Sequence, residues 1–129
     1  MASVSKGAAG EVMAARYLRD HKYTLLAANY RTRFGEIDII AADKKYIAFV
    51  EVKLRSASAI YTPQEAVTPL KQQKIVRTAM LYLQNHPTDL QPRFDVISIV
   101  IEDGDDPLQV KSITHLPAAF EAGEGYASV

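Results

Sequence analysis

Cysteine is absent from the 129 residues of this chain. Disulfide bonds, thiolate catalysis and cysteine-ligated zinc sites are therefore excluded. No apolar run approaches the roughly 20 residues that a membrane helix needs, and the N-terminal segment lacks the basic region and apolar stretch of a secretion signal. We therefore expect a cytoplasmic protein with no segment inside a membrane.

The chain also lacks a net charge, with 15 basic and 15 acidic side chains, which by itself argues against a nucleic-acid-binding protein. The charges are separated along the sequence, however. Residues 1–82 contain 13 Lys and Arg against 7 Asp and Glu, and residues 83–129 contain 2 against 8. Such a separation can give a neutral protein a basic face, although both sets could equally be solvated surface.

Length and hydrophobic pattern predict a single domain of the α/β class over residues 1–129. We expect its core to span about residues 5–116 and the C-terminal tail, residues 117–129, to be partly disordered. The pattern predicts a helix, three strands, a second helix and two more strands, in this order: 6–21, 23–30, 36–42, 46–54, 69–85, 94–101 and 110–116. An irregular loop is expected at 56–64 and an acidic turn at 102–107. The result is a mixed sheet of about five strands flanked by helices, with a crossover through the second helix.

Three charged residues interrupt strands that are otherwise apolar: Asp38 in the second strand, and Glu51 and Lys53 in the third. Side chains alternate between faces along a strand, so Glu51 and Lys53 point the same way. A half-exposed antiparallel strand would show this alternation for reasons of solvation alone. The third strand, however, is expected between its hairpin partner and the crossover strand, where ionised groups are costly unless they are paired or bind a cation.

The hairpin of the second and third strands can bring Asp38 opposite the region of Glu51. Two carboxylates suit a hard divalent cation such as Mg²⁺ or Mn²⁺, which prefers oxygen ligands. Such a cation polarises a phosphoryl oxygen and lowers the pKa of bound water, while an ammonium such as that of Lys53 can orient water or offset charge on the phosphorus. This set predicts hydrolysis of a phosphodiester, which needs no Ser, Cys or His nucleophile.

An Asp followed about a dozen residues later by Glu-x-Lys, on paired strands after an N-terminal helix, resembles the PD-(D/E)xK nuclease superfamily. Within it the chain looks like the YraN-type family, whose members resemble archaeal Holliday-junction resolvases. The resemblance covers about residues 5–100 and rests on five segments: Gly10-Glu11, Asn29-Tyr30-Arg31, Gly35-Glu36-Ile37-Asp38, Phe49-Val50-Glu51-Val52-Lys53-Leu54-Arg55 and Arg93-Phe94-Asp95-Val96. It implies a restriction-endonuclease-like αβββαβ core and a metal-dependent endonuclease for branched or structured DNA.

The resemblance also implies a role for each matching residue. Asp38 and Glu51 would be metal ligands, with the Val52 carbonyl as a third, and Lys53 would position the attacking water. Glu11 matches an acidic position that completes the metal shell in junction-resolving relatives, although the helix dipole favours an acid near a helix N-terminus in any case. The products would be a 5′-phosphate and a 3′-hydroxyl.

The sequence departs from the family pattern at two places. The first motif lacks the proline that gives the superfamily its name, and Tyr61 stands where a glycine is expected. A junction-cutting enzyme needs two active sites, so we also expect a homodimer. Two alternatives remain open: a non-catalytic module that binds nucleic acid or protein, and a hydrolase that uses the same metal chemistry on RNA or nucleotides.

Five basic residues are candidates for contact with the DNA backbone, each with a solvated surface position as the alternative: Arg31, Arg33, Arg55, Lys71 and Lys74. Tyr30 and Phe34 could stack on exposed bases, although core packing is the preferred interpretation. We expect Glu36 to be an exposed or outer carboxylate and Asp95 to form a local ion pair beside Arg93. The three histidines are expected at the surface or at element ends: His21, His86 and His115.

Overall fold

A computed structural model describes residues 6–58, 67–102 and 109–123 of the chain. Within these ranges it contains the seven predicted elements in the predicted order, which are α1 (Lys6–Asp20), β1 (Thr24–Thr32), β2 (Gly35–Ala42), β3 (Tyr46–Ser56), α2 (Pro69–Asn85), β4 (Gln91–Ile101) and β5 (Val110–Phe120). The predicted α/β class is confirmed. In the described part of the chain, neither helix has the length and apolar character needed to span a membrane.

The largest difference from the predicted boundaries concerns β5, which continues to Phe120 instead of ending at residue 116. The ring of Phe120 stacks on that of Phe94, with 5.3 Å between the centroids, and this contact extends the pairing of β5 with β4. Sequence periodicity could not show it, because the two residues are distant along the chain. Tyr61 and most of the predicted loop and acidic turn lie outside the described residues.

The five strands form one sheet in the order β1-β2-β3-β4-β5. Neighbouring strands are antiparallel except for β3 and β4, which are parallel and are connected through α2. β3 is therefore the central strand, as predicted. Its carboxyl end, which carries Glu51 and Lys53, lies at the same end of the sheet as the first half of β2, which carries Asp38.

Each face of the sheet is covered by one helix. On β3, Ala48 and Val50 pack towards α1, and Ile47 and Phe49 pack towards α2. Each fully buried aliphatic side chain of this kind stabilises the fold by about 1.5–3 kcal/mol. Since Glu51 follows the alternation set by Phe49, its side chain belongs to the face that α2 covers.

The start of α2 is fixed by its sequence. Thr68 is the N-cap residue, and its hydroxyl accepts a hydrogen bond of 3.2 Å from the backbone N–H of Lys71. Pro69 occupies the first helical position, where its missing N–H costs nothing. The helix ends at Asn85, before Pro87. Lys71 therefore lies in the first turn, at the end of the sheet that holds the charged residues.

The hydrogen-bond ladder between β2 and β3 is shorter than either strand. It runs from Ala42 opposite Ile47 to Ile39 opposite Val50. Beyond that point β2 stays paired with β1, and β3 stays paired with β4. The two strands separate and form a fork, and the next residue on each side of it is an acid, Asp38 or Glu51.

Candidate functional site

The fork between β2 and β3 opens into a cleft of about 560 Å³. Side chains from both helices and both strands line it, and they include every residue that the sequence assigned to catalysis: Glu11, Asp38, Glu51, Val52 and Lys53. Arg55 and Lys71 line it as well. A larger cleft of about 920 Å³ lies along the second half of α2, but its lining is mainly apolar and contains none of the predicted site residues.

Asp38 stands at the branch point of the fork. Its Oδ2 accepts a hydrogen bond of 2.8 Å from the backbone N–H of Val52, so that a side chain continues the link between β2 and β3 where the ladder stops. One carboxylate oxygen from each of Asp38, Glu36 and Glu11 lies within 4.8 Å of the others. Three carboxylates therefore converge, one from α1 and two from β2, and those of Glu11 and Asp38 also line the cleft.

The surroundings of Asp38 oppose its negative charge. Burial is the largest cause, the charge of Glu51 the next, and together with Glu11 they raise the pKa of Asp38 to about 7. The Val52 N–H and the Lys71 ammonium act in the other direction without offsetting them. A bound divalent cation would supply the positive charge that Lys71 alone does not provide in full.

Glu51 is buried and is held by two ammonium groups. Its Oε1 lies 2.6 Å from Lys71 Nζ and 3.4 Å from Lys53 Nζ. Burial opposes the charge on Lys71, but the hydrogen bond and charge of Glu51 outweigh it and raise the pKa of Lys71. For Lys53, burial outweighs Glu51 and lowers the pKa. The cleft thus combines a firmly charged lysine with one whose charge is less favoured.

The carboxylates that converge in the structure are not all among the residues that the sequence analysis proposed as metal ligands. Glu36, expected as an outer carboxylate, converges with Asp38 and Glu11, whereas Glu51 is paired with lysines. The sequence does indicate that Glu36 lies near Asp38, because residues that are two positions apart on a strand share a face. Glu11 is the sixth residue of α1, beyond the first turn where the helix dipole acts, so the dipole does not explain its identity.

The predicted DNA-contacting residues have different surroundings. Arg31 is exposed and its Nε lies 3.3 Å from Glu36 Oε2. Arg55 is buried at the lining of the cleft and does not hold the solvated strand-end position that was its alternative. Lys71 belongs to the site itself, although 43% of its side chain remains exposed. Lys74 is exposed on α2 next to the β1–β2 turn, where Arg33 also lies.

A second polar cluster lies on β4 and β5, where Asp95 is paired with Val50 of β3. Asp95 is fully buried and accepts hydrogen bonds from Nε and Nη2 of Arg93, both of 2.8 Å, and from the Ala118 N–H. The predicted local ion pair is confirmed. His115 Nε2 lies 2.8 Å from Asp95 Oδ2 and its side chain is only 10% exposed. The expectation of an ordinary surface position for His115 is wrong, since β5 carries it onto β4.

Comparison with known proteins finds relatives over most of the chain. Residues 10–99 match the family described as Uncharacterised protein family UPF0102. A UPF0102 protein of Acetivibrio thermocellus is 44% identical over 116 residues, which cover 88% of this chain and 89% of its own. Those of Geobacter metallireducens and Nocardia farcinica are 45% and 47% identical, covering 91% and 88% of this chain and 93% and 87% of their own.

Proposed function

Because the chain belongs to the UPF0102 family, which confirms its resemblance to the YraN-type family, we propose that it is a divalent-metal-dependent DNA endonuclease. The family description assigns no activity, so the proposal depends on the cleft. The observation that carries it is Asp38, a partly buried carboxyl group that faces other acids, while two lysines contact Glu51 on the facing strand of the fork. Branched or structured DNA is the proposed substrate.

The donor set of the cleft fits Mg²⁺ or Mn²⁺. Carboxylate oxygens are the ligands that these cations prefer, and three of them lie within 4.8 Å of one another. Glu11, Glu36 and Asp38 would hold the ion, with Glu51 on the facing strand of the fork. When bound, the ion would polarise a phosphoryl oxygen and make a coordinated water more acidic.

The lysines supply the remaining chemistry. Lys53 Nζ is partly enclosed, 3.4 Å from Glu51 Oε1. It is the group that would hold the attacking water and offset charge on the phosphorus. Lys71 keeps the buried Glu51 paired, and its exposed part can contact a phosphate of the substrate.

A cleavage assay tests the proposal on plasmid, single-stranded, linear duplex and four-way-junction DNA with Mg²⁺ or Mn²⁺. We expect wild type to cleave and Lys53→Ala to be at least roughly 100-fold slower, in line with the loss of one preorganised group at a developing charge. Lys44→Ala is the matched control, because Lys44 is exposed in the β2–β3 turn at the far end of these strands. Equal rates for wild type and Lys53→Ala, or cleavage of none of the four substrates, would contradict the proposal.

The binding-module alternative makes a different prediction with the same protein. It expects DNA binding that is unchanged by EDTA and by Glu51→Ala, with no cleavage under any metal condition. Loss of cleavage in EDTA and its return with added Mn²⁺ would reject that alternative.

A further inference from the structure

The turn between β1 and β2 is fixed against α2. Gly35 has φ +156°, and a Cβ atom there would lie 3.3 Å from Lys74 Cβ, so the turn packs closely against the helix. Thr32 and Thr78 share a hydrogen bond of 3.4 Å between their hydroxyls, and Thr78 also donates to the Lys74 carbonyl at 2.8 Å. Arg33 and Phe34 are therefore held at a defined place beside α2.

Phe34 has surroundings unlike those of the neighbouring aromatic residue, Tyr30. Tyr30 packs on the core, with its ring edge-on to Tyr82 at 5.2 Å. Among the described residues Phe34 belongs to neither core cluster. Instead two guanidinium groups lie over its ring, with Arg33 Cζ at 4.9 Å and Arg77 Cζ at 5.8 Å from the centroid, both within the range of cation–π attraction. Core packing does not account for this phenylalanine.

A basic track connects Phe34 with the cleft. α2 contains no acidic residue, and its basic residues Lys71, Lys74 and Arg77 follow at intervals of three, which places them next to one another on the helix surface. Lys71 contacts Glu51 at one end, and Arg77 lies over Phe34 at the other. Six residues of helix span about 9 Å, which is two to three stacked nucleotides at about 3.4 Å each.

We propose that Phe34, Arg33 and Arg77 form a subsite for an unpaired nucleotide of a DNA strand. The base stacks on the Phe34 ring and the two exposed arginines turn to the flanking phosphates, which uncovers the ring. Bases inside a duplex are already stacked on one another, so the subsite selects an unpaired strand that leaves a duplex at a branch, a fork or a single-stranded overhang. This inference rests on the proposed function and names the feature of the DNA that the enzyme would recognise.

Binding measured in EDTA tests the subsite without cleavage. The probes are a labelled forked duplex with single-stranded arms and a blunt duplex of the same length, followed by fluorescence anisotropy. Phe34→Leu keeps an apolar side chain but removes the ring. We expect it to weaken binding of the fork about 10-fold and binding of the blunt duplex less than about 2-fold. Phe34→Tyr keeps the ring and should bind both DNAs as wild type does. Arg77→Gln should weaken fork binding, whereas Arg16→Gln, an exposed arginine on α1, should not. Equal effects of Phe34→Leu on the two DNAs, or none on either, would overturn the proposal.

A fluorescent reporter gives a second, independent measurement. The chain contains no tryptophan, so Phe34→Trp places a single indole at the proposed stacking position. Its emission should fall as the fork binds. The control is Phe120→Trp, which lies on the edge strand β5 at the other end of the sheet, and its emission should not change. Unchanged emission of Phe34→Trp while anisotropy shows binding would overturn the proposal.

The two proposals fail separately. Fork-selective binding through Phe34 without cleavage of any DNA would support the subsite and overturn the endonuclease assignment. Cleavage that depends on Lys53 but is the same in Phe34→Leu for forked and blunt DNA would overturn the subsite alone.

Discussion

Asp38 and Asp95 are aspartates enclosed by the same sheet, and their partners are opposite in character. Asp95 is surrounded by donors: the Arg93 guanidinium, His115 and the N–H of Ala118. Asp38 has the N–H of Val52 as its hydrogen-bond donor, and its other close neighbours include carboxylates. The charge of Asp95 is already offset by its protein partners, whereas Asp38 has other negative charges close to it.

Both acids are at least partly buried, and their pKa values differ because their partners differ. Burial raises the pKa of both acids, but at Asp95 the hydrogen bonds from His115, Arg93 and Ala118 outweigh it, and the pKa is lowered. At Asp38 the charge of Glu51 adds to burial and the pKa rises to about 7. A perturbed acid in a cleft, without a compensating protein partner, is characteristic of a functional site, whereas the Asp95 cluster is characteristic of a structural ion pair.

The largest expected effect is the loss of stability in Asp95→Asn. The substitution leaves the Arg93 guanidinium enclosed without its charged partner, so the free energy of unfolding should fall by about 3 kcal/mol. Urea denaturation in EDTA measures it. A loss below about 1 kcal/mol would remove the structural role assigned to Asp95 and with it the contrast to Asp38.

Metal binding should affect only the Asp38 side of the molecule. At 100 times its dissociation constant, Mn²⁺ should stabilise wild type by about 2.7 kcal/mol, and Asp38→Asn should lose most of this gain. Glu121→Gln, which removes an exposed acid at the end of β5, is the matched control and should respond as wild type does. Thermal unfolding with and without Mn²⁺ gives the comparison, and equal shifts in wild type and Asp38→Asn would count against the carboxylate cluster as the metal site.

Without metal, the change of Asp to Asn should raise the free energy of unfolding at position 38 and lower it at position 95. Asp38→Asn removes a charge that burial, Glu51 and Glu11 disfavour, and its amide oxygen can still accept from the Val52 N–H. We expect the free energy of unfolding to rise by about 1 kcal/mol at neutral pH, measured by urea denaturation in EDTA. Destabilisation comparable to that of Asp95→Asn would show that Asp38 is needed for folding.

The smallest effect is the pH dependence of the Asp95 contribution. Its pKa is lower in the folded than in the unfolded protein, so its contribution is fully present above the unfolded value of about 3.9 and is lost as pH falls through the folded value. The difference in stability between wild type and Asp95→Asn should therefore shrink as pH falls below about 4. A difference that grows below about pH 4 would contradict the lowered pKa.

The sequence predicts those features of the site that depend on local pattern. The alternation along β3 places Glu51 and Lys53 together, and the hairpin brings Asp38 to the same end of the sheet. The contact between Lys71 and Glu51 depends on how α2 packs on the sheet, and the convergence of Glu36 with Glu11 depends on how α1 packs on it. No local pattern encodes either distance.

The same distinction applies away from the cleft. Arg93 and Asp95 are two residues apart on one strand, so their ion pair could be predicted. His115 reaches Asp95 across the β4–β5 pairing, twenty positions later in the chain, and single-sequence reasoning has no signal for that contact. Aromatic residues usually pack in the core, so the sequence favours core packing for both Phe34 and Tyr30. Only the structure distinguishes the two, because Arg33 and Arg77 lie over the ring of Phe34.

The division of the chain between cleft and structural cluster has a practical consequence for anyone who engineers this protein. The charged residues of the cleft all precede residue 72, and the Arg93–Asp95–His115 group lies entirely after residue 92. Substitutions of these three residues should therefore alter the melting temperature without removing a charged group from the cleft. A thermostable variant can be sought at these positions by selection for yield.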